Sequence, residues 1–134
     1  LVPVDLSHAR PHTLAAAVDL ARQHHASITL LHVIESIDGV ERGEMDDFYA
    51  ELTTAAERHL DDCKNKLAEQ GVKVRSAVLR GKRVREIVRY AESEGCELIV
   101  IGTHRTDAED GPNALGTISH QVALMAHCTV MLVR

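Results

Sequence analysis

The sequence predicts an α/β fold: one domain over residues 1–134, with a parallel sheet of five strands and helices on both faces. Two observations carry this. Apolar runs alternate with helix-period patterns along the whole chain, and most connections between them are short, which implies right-handed crossovers between parallel strands. With 134 residues, 45% of them hydrophobic, the chain has enough apolar surface for one core and needs no second domain.

The strands come first. Residues 1–5 form a short apolar run that ends in a carboxylate, Asp5. Because the chain opens inside this run, a few residues are expected before Leu1. Residues 28–34 (ITLLHVI) are β-branched and almost continuously apolar, as a strand buried on both faces should be. Residues 72–79 alternate more and suit a sheet edge with one wetter side. Residues 98–101 (LIVI) and 129–133 (TVMLV) complete the set.

Four helical patterns lie between them. Leu14, Val18 and Ala21 follow Pro11, which fits a first helical turn. Phe48, Leu52, Ala56, Leu60, Cys63 and Leu67 give a longer stripe closed by Gly71. Val84, Ile87, Val88 and Ala91 precede Gly95, and Ile118, Val122 and Met125 follow Gly116. Residues 35–44 are expected as a mobile surface connection rich in Glu, Asp and Gly, and a second irregular connection covers residues 103–115.

Composition removes several classes of function. A net charge of −5 offers no basic field for a nucleic acid, and Phe48, Tyr49 and Tyr90 are too few to stack bases. No apolar run is long enough to span a bilayer, so no membrane partner is expected. Cys63, Cys96 and Cys128 are odd in number and form no CxxC pair, which fits a reducing, cytoplasmic setting. The nine histidines are scattered and none forms an HxxxH or HExxH pair on one helix, and His32 is expected as a hydrogen-bonded core side chain; no metal site is predicted. No nucleophile elbow or P-loop lysine is present, so the chain is not read as an enzyme.

In a parallel sheet, ligands bind beyond the carboxyl ends of the strands. Three segments end there: Asp5, the Val33 region and Gly102. Two roles suit Asp5. It is placed to accept a hydrogen bond from a ribose hydroxyl or a base amino group, or to cap backbone N–H groups at residues 5–7. Gly102 allows close approach of a ligand, and Gly116, Thr117, Ile118 and Ser119 open the last helix with N–H groups and hydroxyls suited to an anion. The same Gly-Thr pair also serves as an ordinary helix cap.

The segments LVPVDLS, LLHVI, ELIVIGTHR and GTISHQVALMAHCTVMLVR together resemble the universal stress protein family, in order and over essentially the whole chain. The resemblance implies a doubly wound, adenine nucleotide alpha hydrolase-like fold with strand order 3-2-1-4-5. It also implies a homodimer paired through the final edge strand and, in many members, bound ATP or a related nucleotide. On this resemblance adenine lies near Asp5 and Val33 with Pro3 and Ile101 lining the base pocket. Ribose and phosphates lie near Gly102, His104, Gly116, Thr117, Ile118 and Ser119.

Arg105 stands where nucleotide-binding members carry their middle glycine, the stretch from there to Gly116 is one residue longer than their pattern, and Leu6 is similar to the branch that does not bind ATP. Arg105 either grips phosphate or pairs with the acids of residues 106–111. Those acids would repel a triphosphate by of order a kcal/mol per close exposed pair, which Mg²⁺ would relieve. The expected function is therefore a stress-response module binding ATP or AMP with at most slow hydrolysis, or, as the alternative, a dimeric interaction protein without nucleotide. The same strand order brings Cys96 and Cys128 close to one another.

Overall fold

The computed structural model describes residues 1–6, 11–37, 39, 43, 45–103 and 117–134. The elements run β1 (Val2–Pro3), α1 (Pro11–His24), β2 (Ser27–Glu35), α2 (Asp46–Ala68), β3 (Lys73–Gly81), α3 (Arg83–Ser93), β4 (Leu98–Gly102), α4 (Ile118–Met125) and β5 (Thr129–Val133). All strand pairs are parallel: β1 with β2 in the register Val2↔Leu30, β2 with β3 from Ser27↔Lys73 to Glu35↔Gly81, and β4 with β5 from Leu98↔Thr129 to Gly102↔Val133.

These pairs form one sheet of three strands and one of two. The first strand is shorter than the expected residues 1–5, and Pro3 explains why. Leu1 meets β4, accepting from the Val100 N–H at 2.9 Å and donating to the Leu98 carbonyl at 2.8 Å. Residues alternate in the strand they face, so Pro3 is next to face β4. It has no N–H to give, which weakens the ladder at that position. On the other side, Val4 donates to the Leu31 carbonyl at 2.8 Å.

Successive residues of the inner strands face opposite ways. Ile28, Leu30 and Val100 pack with Ala17, Val18 and Ala21 of α1 and Leu60 and Leu67 of α2. Leu31, Val33, Ile99 and Ile101 pack with Ile87 and Ala91 of α3 and Val122 of α4. Two cores back to back are why β2 and β4 read as unbroken apolar runs. β3 has one strand neighbour and no buried residue, its side chains being partly buried or exposed, as the wetter edge pattern suggested.

The stripe expected along α2 needs correction at its start. Phe48 and Leu52 are exposed, whereas Tyr49 is buried. An i, i+4 stripe drifts by about 40° per step at about 100° per residue. Counting back from Leu60, Phe48 lies about 120° off the buried face and Tyr49 only about 20° off it. Tyr49 also has partners: Arg80 lies 3.4 Å above its ring, and its hydroxyl accepts from the Ile37 N–H at 3.0 Å. Met125, expected on the core face of α4, is likewise exposed. Gly95, with φ of 61°, ends α3 in the left-handed conformation that favours glycine. Among the described residues no helix is long and apolar enough to cross a membrane.

Candidate functional site: a crevice at the strand ends

The carboxyl ends of β1, β2 and β4 open into a cavity of about 270 Å³, roofed by the first turns of α3 and α4. Pro3, Asp5, Val33, Ile101, Gly102, Thr117, Ile118 and Ser119, eight of the residues singled out from sequence, all line it. His104, Arg105 and Gly116, together with the acidic residues 106–111, lie outside the described residues.

Each side chain reaches the cavity for a local reason. Val33 and Ile101 lie on the face of the sheet that packs against α3 and α4, and at the strand ends that packing gives way to the cavity. Pro3 and Val4 add an apolar wall from β1. Asp5 follows β1 and is exposed, so its carboxylate avoids the desolvation that a strand end inside the core would impose.

At the other wall, Thr117 is the N-cap of α4, with extended backbone (φ −68°, ψ 152°) and a side chain that accepts from the His120 N–H. Its hydroxyl lies 2.6 Å from His120 Nδ1 and 3.2 Å from the Ser119 hydroxyl. Ser119 is buried and donates to the Thr103 hydroxyl at 3.1 Å. A connected line of hydroxyls thus joins the end of β4 to the start of α4. The helix start adds backbone N–H groups and the positive end of its dipole, so this wall suits an anion or a sugar hydroxyl.

Sequence reasoning missed Arg83 as a cavity residue. It opens α3, lines the crevice, and holds Glu35 at the end of β2 by an Nε–Oε2 contact of 3.2 Å. Both partners are about half exposed, so the pair itself contributes little stability and the guanidinium stays within reach of a ligand. The signal was positional. In a β–α unit the first helical residue emerges at the carboxyl edge of the sheet, and the junction after β3 reaches that edge as those after β1, β2 and β4 do. Ile87, one turn further on, also lines the cavity.

His32 lines it as well, and its Nδ1 lies 2.9 Å from the Val4 carbonyl. A carbonyl only accepts, so Nδ1 is the donor in this contact. The expected hydrogen bond is present, but the ring is only partly buried and lines the crevice where a core side chain was expected. Among the described residues no three His, Cys, Asp or Glu side chains gather into a metal-sized cluster.

A parallel α/β domain with a small-molecule crevice at its strand ends is the class that fold and site define. The sequence model of the universal stress protein family matches residues 1–134, and the chain belongs to that family. The universal stress protein YxiE of Bacillus subtilis (strain 168) is 31% identical over 144 residues, covering 100% of this chain and 97% of the relative. The solved structure of MJ0577, a universal stress protein of Methanocaldococcus jannaschii, is 28% identical with a TM-score of 0.81, covering 98% of this chain and 92% of that one. A universal stress protein from Archaeoglobus fulgidus in complex with dAMP has the same fold, with a TM-score of 0.71 at 20% identity, covering 99% of this chain and 94% of that one.

Proposed function

We propose that this domain is a stress-response module that binds an adenine nucleotide in the crevice between β1, β2, β4 and α4. The observation that carries the reading is the convergence of an apolar slot, a strand-end carboxylate and a hydroxyl-bearing helix start on one cavity. Pro3, Val33 and Ile101 would flank the base, and Asp5 would accept from the base amino group or a ribose hydroxyl. Thr117, Ile118 and Ser119 would meet the sugar and first phosphate, joined by Gly102, His104, Arg105 and Gly116.

The cavity of about 270 Å³ is just below the lower end, about 300 Å³, of ordinary small-molecule sites. That size favours AMP, or ATP with its outer phosphates and any Mg²⁺ beyond the mouth. The residues present therefore fit the nucleotide. The Archaeoglobus fulgidus structure with dAMP supports the class of ligand. Binding here would proceed with slow hydrolysis at most.

We infer further that the two sheets run together in the order 3-2-1-4-5, as the two Leu1–β4 hydrogen bonds support. The protein is proposed to work in the cytoplasm as a homodimer. Leu124, Met125, Met131 and Leu132, exposed on α4 and on the β5 edge, support pairing of β5 with its copy. A second reading, an interaction protein without nucleotide, is favoured by Arg105 at the middle glycine position and by the extra residue before Gly116.

Calorimetric titration with AMP and with ATP, each with and without Mg²⁺, separates the two. Saturable heat supports the nucleotide module. No heat at millimolar ligand removes it and leaves the interaction protein.

A further inference from the structure

At the end of the sheet away from the crevice, two cysteines lie side by side. The ladder of β4 with β5 begins at Leu98↔Thr129, so Cys96 stands two residues before one strand and Cys128 one residue before its neighbour. Adjacent strands lie about 4.8 Å apart, which sets the order of distance between residues that enter them together. A disulfide spans about 4.4–6.8 Å between Cα atoms.

Both side chains also turn to the same side. Cys96 and Cys128 pack, partly buried, against one apolar cluster with Ile99 and Val130. Burial first, and then the nearby Cys96, push the Cys128 thiol above its ordinary range. Neither is bonded in this structure, and Cys63 is on α2, partly buried against the other core. Cys96 lines an open surface groove with Glu94 and Glu97, which gives a small oxidant access.

We propose that Cys96 and Cys128 form a reversible dithiol–disulfide couple oxidised by hydroperoxides. One thiolate attacks a peroxide oxygen, the O–O bond breaks, and a sulfenic acid forms while the departing oxygen takes a proton and leaves as water or an alcohol. The second thiolate attacks the sulfenic sulfur, the S–S bond forms, and hydroxide leaves and is protonated to water. The two thiols lose two electrons and two protons, and the hydroperoxide is reduced by two electrons.

The bond would fasten the edge strand β5 to β4 far from the crevice. Oxidation should therefore raise thermal stability and leave ligand binding alone. Closing a loop that runs from Cys96 to Cys128 should move the melting temperature up by at least about 5 °C.

The test is to reduce the full chain, treat it with hydrogen peroxide, and read intact mass and disulfide-mapped peptides. The expected result is loss of two hydrogens from the monomer, a Cys96–Cys128 peptide, reversal by a thiol reductant, and the upward melting shift. Cys63→Ser should behave like the parent, whereas Cys96→Ser and Cys128→Ser should take up oxygen on the remaining thiol. Linkage through Cys63, a bond between copies, or independent over-oxidation of both thiols would overturn the proposal.

Discussion

Gly81 offers the sharpest test of how α3 is held above the crevice. It ends β3, and a Cβ added there would lie 2.6 Å from Glu86 Cγ, 2.8 Å from Oε1 and 2.9 Å from Cδ. Glu86 is only 7% exposed and is bound to Arg89, whose Nη2 lies 2.9 Å from its carboxylate. Its Cγ cannot simply swing away, because it is close to the helix backbone. Gly81→Ala must therefore push α3 outward or expel the Glu86 side chain.

Forcing one carbon into a filled site costs about 1–3 kcal/mol. Losing the ion pair, whose Arg89 end is mostly solvated, adds no more than about 1 kcal/mol. The expected destabilisation is about 1–4 kcal/mol, read as a lower urea midpoint with unchanged slope. In a Glu86→Ala background the obstacle is gone, and the same substitution should lose about 1–3 kcal/mol of its cost, a coupling suited to residues in contact. A Gly81→Ala protein within about 0.5 kcal/mol of the parent, or an equal cost in both backgrounds, would refute the packing described.

Three other outcomes follow from the site, the edge and two partly buried ionisable groups. Asp5→Ala should weaken AMP binding by about 10- to 150-fold, the worth of one hydrogen bond to a charged group at about 1.5–3 kcal/mol, measured by calorimetry. Met131→Lys places a charge on the exposed β5 edge, where Met131 is 40% and Leu132 39% exposed; light scattering should show a dimeric parent and a monomeric variant at micromolar concentration. Burial, then Cys96, raises the Cys128 thiol above 9.0, and burial, then Glu94, raises the Tyr90 hydroxyl above 10.0. The unfolded chain then loses these protons first. Stability is intact below pH 9 and falls as pH rises through the folded-state values, and Cys128→Ala should flatten the first part of the fall in a series of urea midpoints.

Most of the fold was legible because the inner strands are buried on both faces. ITLLHVI and LIVI have no polar alternation to confuse them, and each carries one core on either side. The crevice was legible for a similar reason: Asp5, Gly102, Thr117 and Ser119 are polar or small residues where an apolar strand stops or a helix starts. Tyr49 was missed because spacing by four was followed past the point where helical drift turns it outward. Arg83 was missed because a charged residue at a helix start reads as solvated surface until β2 and β4 are set beside it. Pro3 shortened β1 through a missing donor, an effect that needs the neighbouring strand to be known. The hydroxyl line from Thr103 through Ser119 to Thr117 joins residues far apart in sequence and only exists once β4 and α4 meet.

The measurement that bears most directly on the nucleotide reading is a crystal structure grown with AMP. Density for a base between Pro3 and Ile101, with its ribose toward Asp5 and its phosphate at the Thr117–Ser119 helix start, is the predicted result. An empty crevice at millimolar AMP, or one filled by the chain's own side chains, would contradict it.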